Sequence, residues 1–112
     1  MEMQFAEANG SAVVALNGRM DTAGVAQIEL RFSTLVMPKG KNTVIDMAGV
    51  EFLASLGIRL LITAARSLAV KGAKLVVFGV RPAVMEVIET AGLKEVVPVV
   101  GTEAEAFALL AA

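Results

Sequence analysis

Cysteine and histidine are both missing from the 112 residues of this chain. Without cysteine there are no disulfides, no thiolate nucleophile and no cysteine–metal site. Without histidine, a Ser-His-Asp triad, a His-liganded zinc and imidazole acid–base chemistry are all ruled out within the chain. Trp and Tyr are also absent, and five Phe are the only aromatic residues. A nucleic-acid surface needs stacking platforms or clustered Lys/Arg. The net charge of −1 comes with no segregated basic block, so nucleic acid is not an expected partner.

Long apolar runs are missing too, although the mean hydropathy is +0.72. A spanning helix needs about 20 consecutive apolar residues. The best candidate, "IRLLITAARSLAV", is interrupted by Arg59 and Arg66. The N-terminal "MEMQFAEANGS" is acidic and has no apolar stretch of signal-peptide length. A cytoplasmic protein with no membrane contact is the expectation. No G-x-x-x-x-G-K-[ST] or G-x-G-x-x-G pattern supports a nucleotide site. Neither a metal nor a cofactor is expected, and the function classes that survive are those of a binding module.

What is present is 56% hydrophobic residues, enough for the core of one α/β domain spanning residues 1–112. "MQFAEANGSAVVALNG" predicts a β-hairpin turning at Asn9-Gly10, with Gly18 ending its second strand and "RMDT" as a short loop. Val25, Ile28, Phe32, Leu35 and Val36 recur at helical spacing and predict a helix from about Thr22 to Val36, stopped by Pro38 and Gly40. "NTVIDM" predicts a short strand ending near Asp46. A second helix is expected from about Ser55 to Val70, with Leu60, Leu61, Ala64, Ala65 and Leu68 buried and Arg59, Thr63 and Arg66 wet. "AKLVVFGV" reads as a buried strand. Pro82 suits the first turn of a third helix ending before Gly92. "EVVPVV" predicts a brief edge strand, and Thr102 with Glu105 a capping box for a last helix. The order β-β-α-β-α-β-α-β-α implies a mixed sheet of about five strands with about four helices packed against it.

Between the central strand and the second helix lies "DMAGVEFLASLG". Taken alone, Ser55 is a helix N-cap whose hydroxyl accepts a backbone N–H. Gly57 in the first turn is costly, because glycine within a helix loses about 1 kcal/mol against alanine. Its presence implies a close approach to the backbone. Phe52 is expected in the core, and Leu53 and Leu56 are expected at the surface. Asp21 can stabilise the start of the first helix by charge. Asp46 is expected to organise the crossing loop through side-chain-to-backbone hydrogen bonds. Nothing in the sequence brings Asp21 and Asp46 together as a catalytic pair. Ser55 has no internal base, so it is a poor nucleophile but an adequate kinase substrate, since a kinase supplies its own base.

These segments together resemble the STAS domains of bacterial anti-sigma-factor antagonists, over nearly the whole chain. The family signature is an acidic residue ending a strand, a hydrophobic-x-Phe run, then Asp-Ser-Ser/Thr-Gly opening a helix. "NGRMD" resembles the family's first loop, and "RPAVMEVIETAGL" its later strand-to-helix segment. The resemblance implies that Ser55 is phosphorylated by a partner kinase that is itself the anti-sigma factor. Unphosphorylated antagonist binds that kinase; phosphorylation releases it, and a phosphatase would reset it. Asp21 matches the family's first-loop Asp beside the serine, and Asp46 the acid that ends the central strand. The implied partner surface takes Met20, Asp21 and Thr22 from the first loop. From the second it takes Leu53, Ala54, Leu56, Gly57 and Arg59.

Two positions depart from the signature. Ala54 stands where the family has Asp, and Leu56 where it has Ser or Thr. The contact surface is less charged and more apolar as a result. That leaves two readings: a dedicated kinase with a matching apolar pocket, or a regulatory or scaffold subunit that binds constitutively. Monomer and weak dimer, through the hairpin edge or the apolar site, both remain open.

Overall fold

The computed structural model describes residues 1–111. Asn9 and Gly10 both take positive φ, 55° and 76°. That is the conformation in which a two-residue turn matches the twist of a hairpin. It joins β1 (Glu2–Ala8) to β2 (Ser11–Met20), with Ala8 opposite Ser11. The remaining strands are β3 (Thr43–Leu53), β4 (Leu75–Phe78) and β5 (Val99–Val100). The helices are α1 (Thr22–Val36), α2 (Ser55–Val70), α3 (Pro82–Ala91) and α4 (Glu103–Ala111).

The sheet order is β1-β2-β3-β4-β5, antiparallel in the first pair and parallel thereafter. Strands in chain order, joined by crossovers of one hand, put every crossover helix on the same face. Accordingly α1, α2 and α3 share one core with the sheet, in which Phe32, Leu61, Leu68 and Ile88 meet Val14, Ile45 and Val77. The opposite face is covered by α4, where Ala106 packs with Val44, Val76 and Phe78. The alternation of Val44 with Ile45, and of Val76 with Val77, is the pleat serving both layers. Thr102 caps α4 by accepting the Glu105 N–H at 3.2 Å, and its own hydroxyl donates to Glu105 Oε1 at 3.1 Å. All three proposed helix spans from Thr22, Ser55 and Pro82 agree with the structure.

Two strands run further than expected. β2 does not stop at Gly18, and β3 does not stop near Asp46. β4 pairs with β3 only as far as Asp46–Phe78, while β2 stays paired with β3 up to Met20–Leu53. The result is a two-stranded parallel ribbon standing above the rest of the sheet, with no crossing loop before α2. Register shifts at Ala15/Asn17 and Gly18/Arg19 let the ribbon bend. Asp46 sits at its base, where Oδ1 accepts the Ala48 N–H at 2.9 Å. Its side-chain-to-backbone bond therefore shapes an irregular strand, not a loop. The last expected strand shrinks to two residues, because Leu93–Glu95 winds into one 3-10 turn and Pro98 lacks an N–H for the ladder.

Candidate functional site

The ribbon ends by handing both of its strands to helices. The Ala54 N–H donates to the Met20 carbonyl at 3.0 Å, and the Ala54 carbonyl accepts from Gly57 and Ile58 at 3.0 and 3.1 Å. Ala54, with extended φ and ψ, is thus the N-cap of α2. Ser55 is not the cap but the first helical residue. It is exposed, and its hydroxyl has no hydrogen-bond partner among the described residues. The expected cap bond is replaced by a free primary alcohol beside the tip of the ribbon.

Asp21 is the cap of the neighbouring helix. Its Oδ1 accepts the Gly24 N–H at 2.8 Å, and its Oδ2 lies 3.4 Å from Arg19 Nε. The Gly24 bond, assisted by Arg19, holds the Asp21 carboxyl below its ordinary range despite the opposing effect of desolvation. A carboxyl lowered in the folded state adds stability that is present above its unfolded pKa and is lost as pH falls through the folded value. Asp21→Ala is therefore expected to lower the denaturation midpoint at pH 7. The gap to wild type should close as pH drops below about 4 in an acid titration. A gap that persisted undiminished at the acid end would remove the carboxylate from this account.

Met20 and Leu53 face each other across the ribbon and both point into the core, 0% and 2% exposed. They are not surface contacts. A methyl placed on Gly57 would lie 2.7 Å from Leu53 Cδ1 and 3.0 Å from Met20 Cβ. The close approach implied by Gly57 is real, but it comes from these core side chains beneath it. One residue earlier on each strand the pleat turns outward. Arg19 and Phe52 are cross-strand partners on the outer face, and the guanidinium carbon lies 4.3 Å from the ring centroid. Phe52 is 39% exposed, the reverse of the expectation. Neither it nor Arg19 figured in the expected contact set. Alternation carried through "GRM" would have found Arg19; Phe52 was hidden by the register shift at Gly18/Arg19, since Val50 two residues before it is buried.

Thr22, Leu56 and Arg59 are exposed as expected. Leu56 and Arg59 open onto a groove of about 320 Å³ between α1 and α2, which Val25, Glu29, Met37 and Leu60 also line. The accessible parts of the site are therefore Arg19, Thr22, Phe52, Ser55, Leu56 and Arg59, with Asp21 half-buried among them, continuous with that groove. Chemically the site offers one unhindered hydroxyl, one engaged carboxylate and two guanidiniums. The hydroxyl has no base of its own, so it reacts only with a partner that brings one. No three His, Cys, Asp or Glu side chains converge among the described residues. No helix among them is long and apolar enough to cross a membrane.

A mixed five-stranded sheet with an exposed serine opening the helix after its central strand defines a recognisable class of α/β domain. The chain belongs to the STAS domain family, whose model matches residues 2–106. It is similar to BtrV of Bordetella bronchiseptica, a proposed anti-sigma factor antagonist: 25% identical over 96% of this chain and 93% of that protein. Its fold is that of an anti-sigma factor antagonist from Mycobacterium paratuberculosis, with a TM-score of 0.89 and 24% identity over 99% of this chain and 94% of that one. It also superposes on the phosphorylated form of the Bacillus cell-fate determinant SpoIIAA, with a TM-score of 0.69 and 22% identity, covering 96% and 98% of the two chains.

Proposed function

We propose that this protein is an anti-sigma-factor antagonist that works by partner switching. Its partner is an anti-sigma factor that is also a serine kinase, bound when Ser55 is unmodified. The kinase transfers the γ-phosphoryl group of ATP to Ser55 Oγ, ADP leaves, and the hydroxyl proton passes to the kinase's own base. The added dianion separates the pair, and a phosphatase restores the binding form. The observation that carries this reading is Ser55 itself: a solvent-exposed hydroxyl free of intramolecular bonds, at the family's phosphorylatable position. Asp21, Thr22, Leu56 and Arg59 form the contact surface around it, with Ala54 and Gly57 shaping the backbone. Met20 and Leu53 support that surface from within.

Ala54 and the exposed Leu56 favour a second reading, a regulatory or scaffold subunit that stays bound to one partner. The two readings separate in one experiment. Purified protein is incubated with ATP and lysate of its own host, followed by intact mass and peptide mapping. The switch predicts one added phosphate, on Ser55, absent in S55A. No phosphate, with a control kinase active in the same lysate, sinks the switch and leaves the constitutive subunit.

A further inference from the structure

Arg19 is the residue that the proposed switch leaves without a task. Its side chain is 58% exposed, yet its position is defined by two contacts. The guanidinium lies over the Phe52 ring, 4.3 Å from its centroid. Its Nε also reaches Asp21 Oδ2 at 3.4 Å. Both contacts are weak. The ion pair is long and solvated, which makes it worth little, and a cation over an exposed ring adds about 0.5–1 kcal/mol. Together they aim the head group along the ribbon. Arg19 is level with Phe52 in the pairing, but its guanidinium extends two residues further to Asp21. The Ala54 N–H bonds to Met20, so the end of β2 lies against the residue just before Ser55. The head group therefore lies at the end of the ribbon from which Ser55 emerges, and Asp21 engages only one of its donors. A guanidinium's planar fork matches two phosphate oxygens.

We propose that Arg19 is the internal counter-ion of phosphorylated Ser55, passing from Asp21 and Phe52 to the phosphate when the serine is modified. The inference rests on Ser55 being the phosphorylated residue and adds how the phosphate is received. A new charge of about −1.5 to −2 outcompetes a single carboxylate for the same cation. The transfer changes the outer face twice: it adds the phosphate and strips the cation from Phe52. A partner that reads Arg19, Phe52 and Asp21 as one unit loses that unit along with the free hydroxyl.

The charged residues at this end of the ribbon and the start of α2 are Arg19 at the end of β2, Asp21 before α1, Glu51 near the end of β3, and Arg59 one turn along α2. Arg81, from the loop after β4, is tied to the Ala48 carbonyl at 2.8 Å, nearer the base of the ribbon. Arg59 is therefore the rival counter-ion. The test needs no kinase. Phosphoserine is installed at position 55 during translation, and its second ionisation is followed by phosphorus NMR at low salt. The same is done in Arg19→Gln and Arg59→Gln backgrounds. The expected result is an ionisation below the usual value of about 6 in the parent, raised by roughly half a unit or more in Arg19→Gln. The Arg19 Nε–H resonance should also move when position 55 changes from serine to phosphoserine. An ionisation unchanged by Arg19→Gln, or moved further by Arg59→Gln, overturns the assignment. Phosphate transfer in the lysate is a separate measurement: a failure here leaves the switch standing, and a failure there removes the premise of the assignment without altering the ionisation measured here.

Discussion

Phosphate on Ser55 is expected, if the proposed switch holds, to weaken the complex with a partner kinase by about 100-fold or more, roughly 2.8 kcal/mol. The hydroxyl is exposed beside Leu56 and Phe52, so a partner that covers it also covers apolar surface. A charge of about −1.5 to −2 would then sit in a desolvated contact. A single guanidinium from Arg19 offsets only part of it, and the unmatched remainder costs several kcal/mol, more than the loss of one hydrogen bond. The structure also makes the control clean. Ser55 is not the cap of α2, and its hydroxyl is bonded to no other group among the described residues, so Ser55→Ala removes the acceptor without loosening the helix. Calorimetric titration of the kinase, once identified as the source of the phosphate, should give similar affinities for wild type and S55A. The phosphorylated protein should bind far more weakly, with S55D between. Equal affinity for the modified and unmodified forms would refute the switch.

Gly24→Ala is expected to cost about 3 kcal/mol of stability, or a fall of roughly 12 °C or more in Tm. Helix propensity alone predicts the opposite, since alanine is favoured over glycine by about 1 kcal/mol inside a helix. The tertiary contact decides the sign. A Cβ on Gly24 would lie 1.8 Å from the Arg19 carbonyl oxygen and 3.3 Å from Asp21 Oδ1. The first of these is a backbone atom of a paired strand, so no rotamer change relieves it. The start of α1 would have to move away from the end of β2, breaking the 2.8 Å Asp21 cap and disturbing the Met20–Ala54 link that seats α2. Ser55 would lose its fixed position with it. A thermal melt is the measurement, and an unchanged or higher Tm would show that the chain adjusts at no cost.

Much of the fold was legible because it rests on local chemistry. The Asn9-Gly10 turn, the stripe Leu60, Leu61, Ala64, Ala65 and Leu68, Pro82 at a helix start and the Thr102–Glu105 pair each state their conformation within a few residues. The upper ribbon was not legible in the same way. "AGVEFLA" holds glycine, glutamate and small residues, and nothing nearby marks it as strand. It becomes strand because β2 lies alongside, and that partner is some 30 positions away in the chain, as in the pairing of Arg19 with Phe52.

The same reason governs the site. The sequence by itself determined which chemistry is ruled out, where the helices run, and that one serine stands at the start of the second helix within a family signature. Only the tertiary structure decided that Ala54 takes the cap and frees that serine. It also turned Met20 and Leu53 inward and brought Arg19 onto Phe52 and Asp21. Capping and periodicity are set by neighbours within a turn or two. Which way a strand residue faces is set by register against a distant strand, and a shift of one residue reverses every side chain along it.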